Sequence, residues 1–225
     1  MIFHSSSIEK VMRALNSVEI NNAPKEIFFI GKIGLLTFAP KVAIVGSRKA
    51  SEDGIRRTKN FARELARRGI TVVSGLAEGI DTAAHTSAIE NGGNTIAVLG
   101  TPLDRVYPTQ NAALQKEIMQ NHLCISQFSS GMSFNPKFFP QRNRTMALIS
   151  DATVIMEAKD GSGTFNQGWE ALRLGRPLFI AKSTIEKSDS TWPEKFLRYG
   201  AQILIDDDLE DLIESLPPQI NVIAS

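Results

Sequence analysis

Lys41-Val42-Ala43-Ile44-Val45-Gly46-Ser47-Arg48-Lys49-Ala50-Ser51 decides how this chain is read. Val42 to Val45 form a continuous apolar run, the pattern of a strand buried on both faces of a parallel sheet. Gly46-Ser47-Arg48 follows at once, and a long helical pattern opens near Ser51. Strand, glycine turn and helix is the order in which backbone N–H groups and a helix N-terminus face an anion. Arg48 adds a planar, permanently charged donor fork that suits phosphate. No Gly-Lys-Ser/Thr follows at Walker A spacing, and no G-x-G-x-x-G follows this strand, so a standard nucleotide cradle is disfavoured.

Outward from this stretch the pattern repeats. Further strands are predicted at 70–74, 95–99, 123–126, 153–157, 178–181 and 202–205. Helices are predicted at about 52–68, 81–91, 109–121, 143–150, 164–175 and 207–216. In helix 52–68, Ile55, Phe61, Ala62 and Leu65 face inward and Gly69 ends it. This alternation predicts an α/β fold: an extended Rossmann-like, mostly parallel sheet with helices on both faces. Residues 1–40 read as a short extension packed on the core, with a helical pattern over 7–16 and a strand ending at Gly31. The main domain is set at 41–216, and 217–225 as a tail behind Pro217-Pro218.

Composition narrows the chemistry. The 225 residues carry 25 basic and 24 acidic side chains, a net charge of +1. Bulk attraction to nucleic acid is therefore excluded, and any such binding needs a local patch. The one cysteine, Cys124, excludes an internal disulfide and a cysteine zinc site, and reads as a small buried hydrophobe. No metal or cofactor is expected. The N-terminus has no signal-peptide pattern and no apolar run is long enough to cross a membrane, so a cytoplasmic protein is expected.

In an open parallel sheet, ligands bind beyond the carboxyl ends of the strands. The loops there are rich in glycine and hydroxyls: Gly46-Ser47-Arg48, Ser74 to Asp81 with Gly75 and Gly79, Gly100 to Pro108, and Asp160-Gly161-Ser162-Gly163-Thr164. They read either as ordinary capped turns or as a phosphate site. Asp81 and His85 share a helix face, either as an acid–base pair or as a cap beside a locally bonded histidine. Pro136-Lys137-Phe138-Phe139-Pro140-Gln141-Arg142-Asn143-Arg144 mixes two rings with three cations and no acid. Single-stranded nucleic acid is held by such a mixture, with cations on phosphates and rings under bases. The alternative buries a ring and pairs the arginines with carboxylates.

At these residues the chain resembles the DNA-processing protein A family (DprA, also called Smf). The resemblance runs over about 23–205. It is carried by APKEIFFIGKIGLL (23–36), VAIVGSR (42–48), VVSGLAEGIDTAAH (72–85), GGNTIAVLG (92–100), LDRVYP (103–108), FFPQRNR (138–144) and SGTFNQGWEALRLGRPLFI (162–180). It implies a dimeric protein that binds single-stranded DNA without sequence preference and hands it to the RecA recombinase in transformation and recombination, with no catalytic reaction. By motif, Arg48 would contact phosphate, with Gly46, Ser47, Ser162, Gly163 and Thr164 beside it. Lys137, Arg142 and Arg144 would line the same pocket, Phe138 or Phe139 would stack on a base, and Gly75 and Gly79 would allow close backbone approach.

The sequence also departs from that family. Glu78 stands where arginine is common, Ser126-Gln127 replaces Ser-Glu, and the loop at 162–167 is altered. Neither a winged-helix-like C-terminal domain nor a full N-terminal helical domain is seen, so a minimal or divergent member is expected. A wider resemblance, to nucleoside-monophosphate phosphoribohydrolases of the LOG group, rests on Gly161-Ser162-Gly163-Thr164 and Glu170. There the glutamate falls six positions after Thr164 rather than three. It implies the alternative function, a nucleotide-binding sensor or hydrolase.

Overall fold

The computed structural model describes residues 3–12, 14–187, 191–205 and 209–218. The first forty residues supply β1 (His4–Ser6), α1 (Ile8–Val11), α2 (Ser17–Asn22) and β2 (Ile27–Gly31). Strands and helices then alternate through β3 (Lys41–Gly46), α3 (Glu52–Arg67), β4 (Thr71–Ser74), α4 (Ile80–Glu90), β5 (Thr95–Leu99), α5 (Ala112–Asn121) and β6 (Leu123–Ser126). The remainder is α6 (Phe138–Ile149), β7 (Ala152–Glu157), α7 (Thr164–Arg173), β8 (Leu178–Ala181), α8 (Lys182–Glu186), α9 (Trp192–Arg198), β9 (Gln202–Leu204) and α10 (Glu210–Glu214). The expected tail over 219–225 and the start of the expected last helix lie outside the described residues.

The strands form one sheet in the order β1-β2-β6-β5-β4-β3-β7-β8-β9. Pairing is antiparallel at β1–β2 and β2–β6 and parallel elsewhere. The fold is the expected Rossmann-like α/β sheet. Alternate residues of each strand enter opposite faces. Ala43 and Val45 meet Met146 to Ile149 of α6 and Phe196 of α9 on one face. Val42 and Ile44 meet Phe61 and Leu65 of α3 and Ala84 of α4 on the other. Beneath α5, Ile118 packs with Leu99 and Cys124, and burial pushes the Cys124 thiol up.

Several elements differ from expectation. Among the described residues of 7–16 the helix covers Ile8–Val11, where Ile8 and the following Met12 reach the core. α2 is closed by a capping box in which Glu19 N–H donates to Asn16 Oδ1 at 2.9 Å and Asn16 N–H donates to Glu19 Oε2 at 2.9 Å. Glu19 also pairs with Arg176, which ties the N-terminal segment to the domain. The largest difference is α6, which begins at Phe138 rather than near 143. Pro140 falls in its first turn, where proline removes no intrahelical bond and its fixed φ suits the helix.

Chain order sets the crevice. From β3 the chain runs outward through β4, β5 and β6, then returns through α6 to place β7 on the other side of β3. The direction of winding therefore reverses between β3 and β7, and a crevice opens beyond their carboxyl ends.

Candidate nucleic-acid interface

A cleft of about 630 Å³ occupies that crevice. Its walls are the turn after β3 (Gly46, Ser47, Arg48, Lys49), the first turns of α6 (Phe139, Arg142, Asn143, Met146) and the loop after β7 (Lys159 to Thr164). The α6 residues recur at i, i+3, i+4 and i+7, one helical face. Polar links join the walls. Thr164 Oγ1 donates to Gly46 O at 3.2 Å, Asn143 Nδ2 to Gly163 O at 3.2 Å, and Ser47 N–H to Glu157 O at 2.7 Å. Arg48, Lys49, Arg142 and Lys159 face two carboxylates here, Asp81 and Asp160, so the cleft is locally positive in a nearly neutral chain. A smaller cavity of about 70 Å³ adjoins it, shared by Arg48, Phe139 and Arg142 and bordered by Gly75, Glu78 and Tyr107.

Helical winding divides the Lys137–Arg144 stretch. Phe139 is half-buried, lines both cavities and lies 5.5 Å from the Arg48 guanidinium carbon. That distance is within cation–π reach. Phe138 points the other way: it is buried and stacks on Phe128 at 3.9 Å between centroids. Of the two candidate stacking rings, Phe139 is the one in the cleft. Arg144 turns outward to Glu170 at 3.4 Å, and exposed Lys137 precedes the helix; neither lines either cavity. Lys49 and Lys159, which sequence reasoning passed over, supply cations instead. Adjacency to Arg48 and to the Gly161 loop was the available signal.

Arg142 is a buried anchor whose guanidinium still borders both cavities. It is 6% exposed and donates from Nη1 to Val98 O at 3.0 Å. Burial pulls its pKa down, Asp81 opposes this, and Arg48 adds to it. It fills the space above Gly75, where a Cβ would overlap the guanidinium. Gly79, at φ +74°, lies against the carbonyls of Ser47 and Arg48, and a Cβ there would collide with both. The close approaches at these two glycines come from the protein itself.

Two expected anion positions are likewise filled from within. Glu157 accepts from Ser51 N–H at 3.0 Å and from Ser51 Oγ at 2.6 Å, so the N-terminus of α3 holds an internal carboxylate. Asp81 accepts from Gly75 N–H at 3.1 Å and Ala77 N–H at 3.3 Å. Burial raises its pKa and Arg142 opposes that rise. What remains open to a ligand is the Arg48 side chain and the loop after β7, where Ser162 Oγ donates to Thr164 Oγ1 at 2.9 Å.

His85 is fully buried and its ring meets Thr95. Thr95 Oγ1 donates to Val72 O at 2.9 Å, so its contact of 2.7 Å with His85 Nδ1 is one in which the ring N–H donates. Burial lowers the His85 pKa to about 3, below the ordinary value of 6.5. Between those values the unfolded chain binds the extra proton, so stability falls as pH falls through the window, by at most ~1.4 kcal/mol per pH unit. Asp81, raised by burial, acts in the opposite sense. His85→Gln is expected to lose less melting temperature than wild type between pH 6.5 and 4.5, read by circular dichroism. Parallel profiles would remove His85 from the acid limb.

The model of the DNA recombination-mediator protein A family matches residues 9–217. The chain belongs to the DNA recombination-mediator protein A family. Among relatives, DNA processing protein DprA of Streptococcus pneumoniae is 39% identical over 83% of this chain and 65% of its own length. Protein Smf of Escherichia coli is 34% identical over 86% of this chain and 51% of its own length. The chain therefore spans about half to two thirds of these relatives. The X-ray structure of the S. pneumoniae protein superposes with TM-score 0.82 at 34% identity, covering 96% of this chain and 75% of that one. DNA processing protein A of Helicobacter pylori, in a structure concerned with its single-stranded DNA binding mode, superposes with TM-score 0.78 at 29% identity, covering 95% and 94%. Among the described residues no helix is long and apolar enough to cross a membrane, and no group of three acidic, histidine or cysteine side chains is placed to hold a metal.

Proposed function

We propose that this chain binds single-stranded DNA in the cleft between β3 and β7 and mediates recombination. The carrying observation is Arg48: exposed, in no salt bridge among the described residues, bordering both cavities and set over Phe139. One side chain thus offers a phosphate contact beside a ring that can stack on a base. Lys49 and Lys159 extend the cationic track, with Gly46, Ser47, Ser162, Gly163 and Thr164 as its polar floor. Lys137 and Arg144 form an outer rim. Contacts of this kind address backbone and ring faces, so they select single strands over sequence. Family membership supports delivery of the strand to a RecA-type recombinase by a homodimer in the cytoplasm. The strand-binding unit is assigned to 41–216.

The phosphoribohydrolase reading finds no comparable footing. Glu170, its required acid, is held by Arg173 at 2.9 Å and by Arg144, and lines neither cavity.

Fluorescence anisotropy with labelled oligo-dT tests the proposal. Binding at low salt is expected, with log K falling linearly against log salt. Absence of binding at low salt would sink it. Glu78, exposed on the rim of the smaller cavity, repels the strand. Glu78→Gln is expected to tighten binding about two- to fivefold, the range of one exposed charge interaction. Unchanged affinity would place Glu78 away from the strand.

A further inference from the structure

Two segments apart in sequence, the loop after β5 and the stretch leading into α6, bring three rings together at the open end of the smaller cavity. Tyr107, in the loop after β5, lies 5.6 Å from Phe139 and 5.7 Å from Phe134, and Phe134 lies 6.0 Å from Phe139. Tyr107 is 41% exposed and Phe134 44%. A contiguous exposed aromatic cluster is unfavourable in water unless something covers it. Both loops are anchored. Ser130 Oγ bonds Asp104, Gln115 Nε2 donates to Arg105 O at 3.0 Å, and Lys137 N–H donates to Asn135 Oδ1 at 3.0 Å. The rings therefore stand ready rather than waiting to be ordered.

Charge and continuity identify the occupant. The cluster is continuous with the cleft through Phe139, which carries Arg48 on it, and Tyr107 shares the smaller cavity with Arg48. Arg105 and Lys137, both exposed, flank it in sequence, so with Arg48 three cations meet two exposed carboxylates here, Glu78 and Asp104. An apolar protein partner needs no such cationic border, whereas a polyanion with flat apolar faces needs both elements. We propose that Tyr107 and Phe134 extend Phe139 into a three-ring platform on which successive bases stack as the strand leaves the cleft. This rests on the single-stranded-DNA reading above. The strand then runs from Lys159 and Arg48 across Phe139 and out over Tyr107 and Phe134.

The test is an anisotropy series with oligo-dT of increasing length, using Tyr107→Ala, Phe134→Ala and Tyr107→Phe. Each alanine variant is expected to bind about tenfold more weakly to long oligonucleotides, the scale of one stacked base. Tyr107→Phe should retain wild-type affinity, and the salt slope should stay the same because no phosphate contact is lost. Abasic residues at the strand end should cost wild type the same factor and cost the alanine variants nothing more. Wild-type binding with both alanine variants unaltered overturns the platform alone. Unaltered DNA affinity with reduced self-association by sedimentation assigns the face to a second copy, and also overturns it. No binding by wild type overturns the functional reading and the platform with it.

Discussion

Arg48→Ala is expected to weaken oligo-dT binding by about 10- to 100-fold, the scale of a charge-assisted hydrogen bond. Arg48 borders both cavities, forms no salt bridge among the described residues, and lies against one face of Phe139. Its removal deletes a phosphate donor and a cation from that ring together. The salt slope should also fall by about 0.7, the share of one phosphate contact on a single strand. Because the side chain is exposed, the melting temperature should hold. Lys59→Ala is the charge-matched control, since Lys59 is exposed on α3 and lines neither cavity. Equal affinity of Arg48→Ala and wild type would remove the cleft from DNA binding.

The second large effect is on stability. Gly75→Ala would set a methyl group inside the Arg142 guanidinium. The guanidinium must shift toward the cavities that it borders, breaking its bond to Val98 O and stripping the buried Asp81 of a nearby cation. Removing one partner from buried charges costs ~3 kcal/mol. For a chain of this length that is a fall of about 6–12 °C in melting temperature. A double-mutant cycle isolates the cause: after Arg142→Ala, the alanine at position 75 should cost little more. A Gly75→Ala protein as stable as wild type would show that the guanidinium is not held there.

The strands were legible because β3, β4, β5, β7 and β8 are mostly apolar and do not alternate with polar residues, the pattern of a sheet covered on both faces. The positions of the binding loops followed from the sheet alone. What each loop does was less legible. The turn after β3 reads as an open anion seat until Glu157, 106 residues away, is seen to accept from Ser51. Spacing along the sequence carries no sign of that pairing. Residues Lys137 to Arg144 read as one basic aromatic strip because composition alone does not show which way each side chain faces. Wound as α6, neighbours in sequence face different ways: Phe138 to the core, Phe139 to the cleft, Arg144 to Glu170. The Tyr107 and Phe134 rings meet only through folding, so no local pattern announces them.

The pairing of β3 with β7 also fixes the order in which the cleft is built. Lys41 and Asp151, which join the starts of these strands at 3.4 Å, are 110 residues apart in the chain. β4 can occupy one edge of β3 soon after both leave the ribosome. The other edge, where Val42 pairs with Ala152 and Ile44 with Val154, stays bare until residues 152–157 emerge. A nascent chain therefore carries an unpaired apolar edge while the stretch between β3 and β7 is made, the condition under which partly made proteins associate wrongly. The cleft is the last place where the sheet closes, and a ribosome halted before β7 releases a protein that lacks the wall formed by residues 159–164.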